Sequence, residues 1–418
     1  MSGQMVKQRD NCRLCESKHV ESAFIMQPTP IGDAYVTQEN LSEKQKSYPL
    51  TLFLCHQCGH LQLPTVIDPY VLFGQYIYET STSPGLVKHF NDYADHVLDK
   101  IKCPINSFVV EIGSNDGSLL HFFKTRGMRV LGIDPAQKIA EKATKKGLET
   151  LPAFFDFTLS TEILKTYGHA DIITANNVFA HSDTIRDMTK GIQHLLSPEG
   201  VFIFEVSYLV DILDKKLFDT IYHEHLSYHH VSSLEYFLNL YEMTLFDVER
   251  IPSKGGSIRC YAKLMSAKHT ISPVVKDLMA LEKKMQLTDI QTYKKAEKDF
   301  QLITNKTIDF IHNIKSQHGK IAGYGASPTV TTLLYQLELN HSIDFLVDDN
   351  PIKYFRYSPG CHLAVLPPDS IYTEKPNYII ILAWQYANMI IQKHQKFLSD
   401  NGCFIIPLPE FKIVKNGF

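Results

Sequence analysis

Four of the eight cysteines in this 418-residue sequence occur as two close pairs. Each pair has two residues between its thiols, in Cys12-Arg-Leu-Cys15 and Cys55-His-Gln-Cys58. This spacing lets one tight turn aim both sulfur atoms at one point, and two such turns form the closed tetrahedral site of a structural zinc ion. We therefore expect structural zinc on Cys12, Cys15, Cys55 and Cys58, with residues 16–54 forming a small unit between the pairs. The alternative is that one or both pairs are buried or redox-active cysteines.

A glycine-containing turn follows an apolar stretch and has the pattern Glu111-x-Gly113-x-Asn115-x-Gly117. Its glycines let the backbone approach a ligand closely, and the start of the next helix offers free N–H groups. The pattern lacks the full G-x-G-x-x-G spacing of dinucleotide-binding loops. The acidic Glu111 is unfavourable beside phosphates but suits a cationic ligand such as S-adenosylmethionine. We predict cofactor contacts from Glu111, Gly113, Ser114, Asn115 and Gly117.

Two more strand ends carry polar residues, in Gly132-Ile-Asp134-Pro and in Ala175-Asn-Asn177. A carboxylate at the position of Asp134 can accept hydrogen bonds from both ribose hydroxyls. The amide of Asn177 is expected to face the same ligand crevice, because the carboxyl ends of parallel strands meet at one edge of a sheet. Taken singly, the glycine turn could be a plain tight turn and Asp134 a helix cap. Their order along the chain favours a methyltransferase core.

Four histidines and two tyrosines occur within nine residues, Tyr222-His-Glu224-His225-Leu-Ser-Tyr-His229-His. A helical H-E-x-x-H metal site has two histidines four residues apart with the glutamate after the first. His225 and His229 have that spacing, but Glu224 precedes His225. The alternative is acid–base chemistry, with a histidine oriented by a carboxylate and a tyrosine that donates to an enolate oxygen. A histidine-rich surface helix is the third interpretation.

Strands and helices must alternate along the chain to position these residues. Between residues 81 and 265, short branched runs are separated by helical segments such as Ala136–Lys146, which predicts a parallel sheet covered by helices. The runs are Phe108–Ile112, Val130–Ile133, Asp171–Thr174 and Val201–Glu205. Two later runs, Thr244–Glu249 and Ser257–Lys263, flank a glycine turn and predict an antiparallel edge pair.

A second α/β region follows a stretch rich in Lys, Glu, Leu and Ile. Residues 270–318 predict a long helix or a helix pair, and alternation restarts after Gly319. The strand-like runs are Lys320–Tyr324, Ile343–Val347 and Tyr378–Ala383. We therefore predict an α/β protein with a zinc-binding domain (1–80), a Rossmann-like class I methyltransferase core (81–265), and a helical linker with a C-terminal Rossmann-like domain (266–418).

Composition restricts the partners of the chain. The formal net charge is -3, from 42 basic and 45 acidic side chains, which leaves no broad positive field for nucleic acid or an anionic membrane. The N-terminus has no apolar run after its charges, so we expect no secretory signal. The densest apolar stretch, Tyr378–Trp384, is far shorter than the roughly 20 residues of a spanning helix. We expect a cytoplasmic monomer without nucleic-acid or membrane partners.

Together these motifs resemble the sugar C-methyltransferases that act on nucleoside-diphosphate keto sugars in branched-sugar pathways. The resemblance spans essentially the whole chain. Besides the cysteine pairs and Glu111–Gly117, it rests on Tyr76-Ile-Tyr-Glu-Thr-Ser, Asn176-Asn-Val-Phe-Ala-His181, Tyr222-His-Glu-His225, Gly255-Gly-Ser-Ile-Arg and Gly323-Tyr-Gly-Ala.

The resemblance implies an enzyme that uses S-adenosylmethionine to methylate a carbon next to the ketone of a dTDP- or GDP-linked 4-keto-deoxysugar. It implies that His225 is the base, with Tyr222 and Glu224 beside it, and that Tyr76 and His181 line the same pocket. Zinc stays structural. The sequence departs from the family pattern after Gly325-Ala, where Ser327-Pro-Thr stands in place of a small residue followed by lysine.

Two other functions compete with this interpretation. A nicotinamide-dependent nucleotide-sugar oxidoreductase could be built on Gly323-Tyr-Gly325 or on Gly113, but neither loop has the full dinucleotide spacing. A zinc-ribbon module that binds nucleic acid is disfavoured by the near balance of charges and by the histidine cluster.

Overall fold

The computed structural model describes residues 5–74 and 79–416. The strands of the first part of the chain are β1 (Val6–Gln8), β2 (Val20–Phe24), β3 (Leu52–Cys55), β4 (Leu61–Gln62), β5 (Thr65–Ile67), β6 (Phe108–Ile112), β7 (Arg129–Ile133), β8 (Thr150–Leu151), β9 (Ala170–Asn176), β10 (Leu196–Ser207), β11 (Ser227–Tyr228), β12 (Met243–Ile251) and β13 (Ser257–Leu264). Those of the last part are β14 (Ile321–Tyr324), β15 (Phe345–Val347), β16 (Val365–Leu366), β17 (Tyr378–Ile381), β18 (Cys403–Ile406) and β19 (Lys412–Val414).

The helices alternate with these strands. They are α1 (Pro69–Phe73), α2 (Pro84–Ile101), α3 (Ser118–Thr125), α4 (Gln137–Lys145), α5 (Phe157–Tyr167), α6 (Ile185–Leu195), α7 (Leu209–Asp214), α8 (Val231–Asn239), α9 (Pro273–Lys284), α10 (Ile290–Ser316), α11 (Pro328–Gln336), α12 (Ser370–Glu374), α13 (Ala387–Lys393) and α14 (Gln395–Ser399). Residues 270–318, predicted to form a long helix or a helix pair, form the two helices α9 and α10.

The chain divides into two compact units, and each is discontinuous in sequence. The first unit comprises Met1–Glu21, Leu54–Val210 and Leu226–Thr288. The second comprises Ser22–Phe53, Asp211–His225 and Asp289–Phe418, so it includes the segment with Tyr222, Glu224 and His225. The three-domain division with boundaries after residues 80 and 265 stays a prediction.

The first unit is built on a mostly parallel sheet. Within the described residues it has seven strands in the order β12-β13-β10-β9-β6-β7-β8. Strand β6 pairs in parallel with both β7 and β9, so the strand order reverses beside β6. Strand β13 is antiparallel to β10 and to β12, which confirms the predicted edge pair. In open sheets of this kind, ligands bind beyond the carboxyl ends of the strands where the order reverses.

The pattern of apolar residues explains this sheet. All five residues of β6 are buried, as expected of a central parallel strand covered on both faces. Helix α2 is amphipathic and buries Phe90, Tyr93 and Val97 in the core, where Val109 and Phe123 also lie. Full burial of one such side chain contributes about 1.5–3 kcal/mol, so this core is what fixes β6 and its carboxyl end.

The second unit contains another parallel sheet. Among the described residues its strands follow the order β16-β15-β14-β17-β18-β19. Counted along this unit, that is the order 3-2-1-4-5-6, which is typical of dinucleotide-binding folds. Only β19, at the edge, pairs antiparallel within the described sheet. The core includes Ala322, Val347, Ile379, Ile381 and Phe404.

The remaining strands of the first unit belong to its cysteine-rich part. Strand β1 pairs antiparallel with β5, and β4 pairs antiparallel with β11.

Across residues 5–74 and 79–416, none of the helices combines the length and the apolar character needed to cross a bilayer.

Candidate active site and zinc centre

The four paired cysteines converge on one point. Their sulfur atoms all lie within 4.8 Å of one another, and the Sγ atoms of Cys12 and Cys58 and of Cys15 and Cys55 are each 3.6 Å apart. Four thiolates around a zinc ion at about 2.3 Å in tetrahedral geometry would be about 3.8 Å apart. The donor set and its spacing therefore fit a closed zinc site.

A buried arginine inside the first cysteine turn reaches the wall of a large cavity. Arg13 is fully buried, and its guanidinium donates to the carbonyl oxygens of Leu226 at 2.6 Å and Leu63 at 2.9 Å. It also pairs with Asp183 at 3.2 Å. Burial lowers the pKa of Arg13 to about 10 although Asp183 opposes the shift. Because Asp183 and Leu226 line the cavity, the cysteine turn shapes its wall.

The cavity lies in the first unit at the carboxyl ends of β6, β7 and β9 and has a volume of about 780 Å³. That volume falls within the range of pockets for small ligands. It is lined by most of the predicted residues of this unit, namely Glu111, Gly113, Ser114, Asn115, Asp134, Asn177 and His181. Gly117 is not part of this lining; it precedes α3 with a φ of 78°.

The glycine turn is held against the end of β7. Gly113 has a φ of 71°, and its N–H donates to the carbonyl of Ile133 at 2.7 Å. A side chain at Gly113 would place its Cβ 2.2 Å from Val178. Asp134 accepts from the N–H groups of Asn115 at 2.8 Å and Ala136 at 2.9 Å. Each carboxylate oxygen keeps a further acceptor site, so Asp134 can hold the turn and still accept from a ligand.

Glu111 gives the cavity a buried carboxylate. Its side chain is 3% exposed, and its Oε2 has no hydrogen-bond partner among the described residues. Burial raises the pKa of Glu111 well above its usual range, and the negative charges of Asp134 and Asp116 raise it further. The Oγ of Ser114 likewise lacks a partner within the described chain. These groups favour a ligand that brings positive charge and hydrogen-bond donors.

Asp116, which was not predicted as a site residue, acts with Asn115 to tie the glycine turn to the chain before α2. The Oδ1 of Asn115 accepts from the N–H of Thr80, and the Oδ2 of Asp116 accepts from the N–H of Ser81, each at 2.9 Å. The available signal was the position of Asp116 inside the glycine pattern. Tyr76 lies outside the described residues.

His181 also lines the cavity. It closes a turn after β9, with its N–H donating to the carbonyl of Val178 at 2.8 Å. Its ring stacks on Phe73 with centroids 5.9 Å apart and an interplanar angle of 5°. Asn177 has a φ of 56° and donates its N–H to the backbone carbonyl of Glu205 at 2.9 Å. Both side chains belong to the cavity wall.

In the second unit, the imidazole of His225 is fixed by two hydrogen bonds. Its Nδ1 lies 2.7 Å from the carbonyl oxygen of Thr220, and its Nε2 lies 2.9 Å from the hydroxyl of Tyr222. A carbonyl can only accept, so Nδ1 carries the proton and Nε2 accepts from Tyr222. His225 is half-buried, whereas Glu224 is buried. The next residue, Leu226, lines the cavity of the first unit.

The other histidines of this stretch are structural. Residues 222–230 form turns and β11 rather than a helix, so both the helical metal pair and the surface helix were wrong. His223 donates toward the carbonyl of Tyr48, and burial lowers its pKa to about 4. His229 is fully buried, and burial lowers its pKa to about 3. Within residues 5–74 and 79–416, the cysteine set is the one group with metal-binding geometry.

Three protein-family models match this chain. A zinc binding domain model matches residues 12–73, a methyltransferase domain model matches 110–202, and a C-methyltransferase C-terminal domain model matches 252–409. The C-methyltransferase NovU of Streptomyces niveus is 31% identical over 411 residues, which is 98% of this chain and 98% of that protein.

The chain belongs to the C-methyltransferase family. Solved structures show weaker likeness. A S-adenosylmethionine-dependent methyltransferase from Clostridium acetobutylicum is 16% identical, covers 43% of this chain and 92% of its own, and has a TM-score of 0.35. Magnesium protoporphyrin IX methyltransferase from Synechocystis, with bound S-adenosylmethionine, is 14% identical and covers 42% of this chain and 80% of its own. Its TM-score is 0.32. Similarity at this level supports no assignment of residues.

The C-methyltransferase has the predicted fold class, a Rossmann-like core with a cysteine-rich zinc-binding domain and a second parallel sheet. Its cavity fits the predicted methyl donor, because the lining includes a glycine turn and a buried carboxylate with one unpartnered oxygen, which suit a cationic ligand. Two residues that support the site, Arg13 and Asp116, were not predicted. Arg13 gave no signal in sequence, since its partners Leu63, Asp183 and Leu226 are distant along the chain.

Proposed function

We propose that this C-methyltransferase transfers a methyl group from S-adenosylmethionine to the carbon next to the ketone of a nucleoside-diphosphate 4-keto-deoxysugar. The methyl donor occupies the cavity of the first unit and contacts Glu111, Gly113, Ser114, Asp134 and Asn177. Asn115 supports the turn through Asp134, and Gly117 starts α3. The observation that favours a nucleotide-linked substrate comes from the second unit.

The second unit contains a glycine turn and a strand-end aspartate that resemble those of the first unit. Gly325 follows β14 with a φ of 122°, and its N–H donates to the carbonyl of Val347 at 2.7 Å, as Gly113 donates to Ile133. Asp348 follows β15 and accepts from the N–H groups of Ala326 at 2.6 Å and Asn350 at 2.8 Å.

This is the arrangement that Asp134 makes in the first unit, and burial raises the pKa of both carboxyls. An acid at the end of the second strand of such a fold binds a ribose. Two ribose-binding edges in one chain suit a reaction between two nucleosides, the methyl donor and a sugar nucleotide. The absence of a lysine after Ala326 leaves the diphosphate to other donors, since Ser327 and Thr329 carry only hydroxyls there.

His225 is the proposed base. Its Nε2 takes the proton from the carbon next to the ketone, and the electrons of that C–H bond form an enolate. The carbonyl of Thr220 supports this role, because it accepts from Nδ1–H and stabilises the cation that forms. The Tyr222 hydroxyl, which donates to Nε2 in the resting protein, turns to the ketone oxygen and donates to the enolate.

The other predicted residues have supporting roles. Buried Glu224 favours the cationic form of the neighbouring imidazole, and His181 lines the cavity. Tyr76 is assigned to the same pocket by the family resemblance alone. When bound, S-adenosylmethionine supplies the methyl group to the enolate carbon.

A deuterium-washout experiment tests the proposal. Candidate dTDP- and GDP-linked 4-keto sugars are incubated in heavy water with the enzyme and S-adenosylhomocysteine, which cannot donate methyl. We expect exchange at one ring carbon by the wild type and a loss of about 100- to 10,000-fold in His225→Ala. His223→Ala is the matched control and should retain exchange if it folds. Exchange by His225→Ala at the wild-type rate would move the role of base to His181 or Tyr76.

Membership in the family favours methyl transfer over the oxidoreductase and the nucleic-acid module considered above. A monomeric, cytoplasmic enzyme stays a prediction from the sequence.

A further inference from the structure

A short turn in the second unit carries the carbonyl that orients His225. The 3-10 turn Phe218–Thr220 lies within the segment Asp211–His225. Phe218 is buried, with its ring centroid 5.3 Å from that of Phe24 and 4.8 Å from that of Phe300. This packing holds one side of the turn in the core of the unit.

The other side of the turn is held by a buried carboxylate. Asp219 is 2% exposed, and its Oδ2 accepts from the indole N–H of Trp384 at 2.9 Å. Its Oδ1 has no partner among the described residues. Burial raises the pKa of Asp219 to about 7 although the hydrogen bond from Trp384 opposes the shift. A buried carboxylate with one unpartnered oxygen is costly, so its presence indicates a role beyond packing.

Trp384 lies at the ligand-binding edge of the second sheet. It follows β17, and the N–H groups of Leu382 and Ala383 donate to the carbonyl of Tyr324 at 3.0 and 2.9 Å. Tyr324 ends β14, so Trp384 stands where the strand order reverses between β14 and β17. Helix α11, which begins after the glycine turn, adds a second link, because the hydroxyl of Thr332 donates to the carbonyl of Ile221 at 3.1 Å.

We propose that Asp219 is a positioning residue that, through Trp384, ties the orientation of His225 to the nucleotide-binding edge of the second unit. The path is short: Trp384 holds Asp219, the adjacent Thr220 carbonyl accepts from Nδ1 of His225, and that contact aims Nε2. The inference rests on the proposed function, since it takes His225 as the base and this edge as the nucleotide site.

The washout assay with S-adenosylhomocysteine measures this role directly. Asp219→Ala and Trp384→Phe should each slow exchange by about 10- to 100-fold, the scale expected for a misplaced catalytic group, without changing the affinity for S-adenosylhomocysteine. Asp219→Asn keeps an oxygen that can accept from the indole, so it should stay close to the wild-type rate. Asp344→Asn is the control, because Asp344 accepts from the N–H of Ile321 at the opposite edge of the same sheet.

The double variant separates positioning from unrelated losses. If Asp219 and Trp384 act through one contact, Asp219→Ala/Trp384→Phe should be no slower than the slower single variant. Losses that multiply would overturn the proposal, as would wild-type exchange in a folded Trp384→Phe protein or an Asp219→Asn variant as slow as Asp219→Ala. The Trp384→Phe result stands by itself if Asp219→Ala does not fold.

Fluorescence gives a readout independent of chemistry, because Trp384 is the only tryptophan in the sequence. Loss of its partner should shift the emission in Asp219→Ala but not in Asp219→Asn. Unchanged emission in Asp219→Ala would overturn the contact itself. Failure of the proposed function has a different signature, namely that the wild type exchanges no proton in any keto sugar nucleotide, whatever the emission shows.

Discussion

At the scale of single residues, the most informative group is Glu111, a buried carboxyl without a full set of partners. In the ligand-free protein its raised pKa means that the folded state binds its proton more tightly than the unfolded state. Stability therefore falls as the pH rises from about 4.3, the ordinary value for glutamate, towards the raised pKa of the folded state. A cationic ligand favours the ionised form, so its affinity should rise with pH across the same window.

The Glu111→Gln variant tests both pH effects, the fall in stability and the rise in affinity for a cationic ligand. The variant should lose the fall in unfolding free energy over this pH window, measured by urea denaturation of the ligand-free protein. Its affinity for S-adenosylmethionine should drop by roughly one to two decades, since hydrogen bonds to charged groups contribute about 1.5–3 kcal/mol. The control is Glu149→Gln, which changes an exposed glutamate on the same unit. Unaltered affinity in calorimetry would remove Glu111 from the binding site.

The sequence could predict which residue types the site uses but not how they are paired. Glu111 and Asp134 were identified from their positions at strand ends, and the structure puts both in one cavity. The hydrogen bond between Tyr222 and His225 could not be predicted, because it depends on a turn rather than on the helix that the spacing suggested. Asp219 and Trp384 are 165 residues apart, so no local pattern links them.

At the scale of elements, the turn between β6 and α3 depends on the absence of a side chain at Gly113. Alanine there would adopt a disfavoured positive φ and place its Cβ against Val178. Gly113→Ala should cost more than about 1 kcal/mol in unfolding free energy and abolish binding of S-adenosylmethionine. Gly85→Ala is the control, since nothing lies within 4 Å of its added Cβ. Normal cofactor affinity in folded Gly113→Ala would contradict the role of this turn.

The zinc turns have a consequence for the active site because one of them carries Arg13. Arg13→Ala deletes a large, fully buried side chain together with its hydrogen bonds to the carbonyls of Leu226 and Leu63, so the unfolding free energy should fall by about 2–5 kcal/mol. Arg9 contacts the same Asp183 from a more exposed position, and Arg9→Ala should cost only about 1 kcal/mol. Elemental analysis should find one zinc per chain in wild type and in both variants. If Arg13→Ala and Arg9→Ala lose the same unfolding free energy in urea denaturation, the buried contacts of Arg13 stabilise the fold no more than those of Arg9 do.

Most elements were predictable, since their periodicity is local. Strand β6 has its predicted limits, and β7, β9, α4, α9 and α10 differ from prediction mainly at their ends. The cysteine spacing predicted a convergence that the sulfur distances confirm. What local patterns could not indicate is that Arg13 spans from a zinc turn to the Leu226 carbonyl, because this contact joins residues 213 positions apart.

At the scale of the whole molecule, the chain contains two similar glycine turns, each held by an acid at the end of the next strand, and its compact units are interleaved in sequence. In both turns the acid, Asp134 or Asp348, accepts from a backbone N–H just after the glycine and from the N–H two residues after itself. Both parallel sheets were predictable from the sequence, but the place of Asp211–His225 in the unit of the second sheet was not. Membership in a compact unit is set by long-range packing, which a contiguous division of the sequence cannot express.

Because each unit has its own glycine turn and aspartate, we expect that the binding of the two ligands can be weakened separately. Asp348→Ala should reduce the affinity for thymidine diphosphate or guanosine diphosphate by about tenfold or more while leaving that for S-adenosylhomocysteine unchanged. Asp134→Ala should do the reverse, because each acid serves the crevice of its own sheet. Circular dichroism controls for loss of fold, and calorimetry on the full-length protein with each ligand alone measures the four affinities. If Asp348→Ala weakens neither nucleotide, the second crevice is not the nucleotide site, and the sugar nucleotide must be sought elsewhere on the chain.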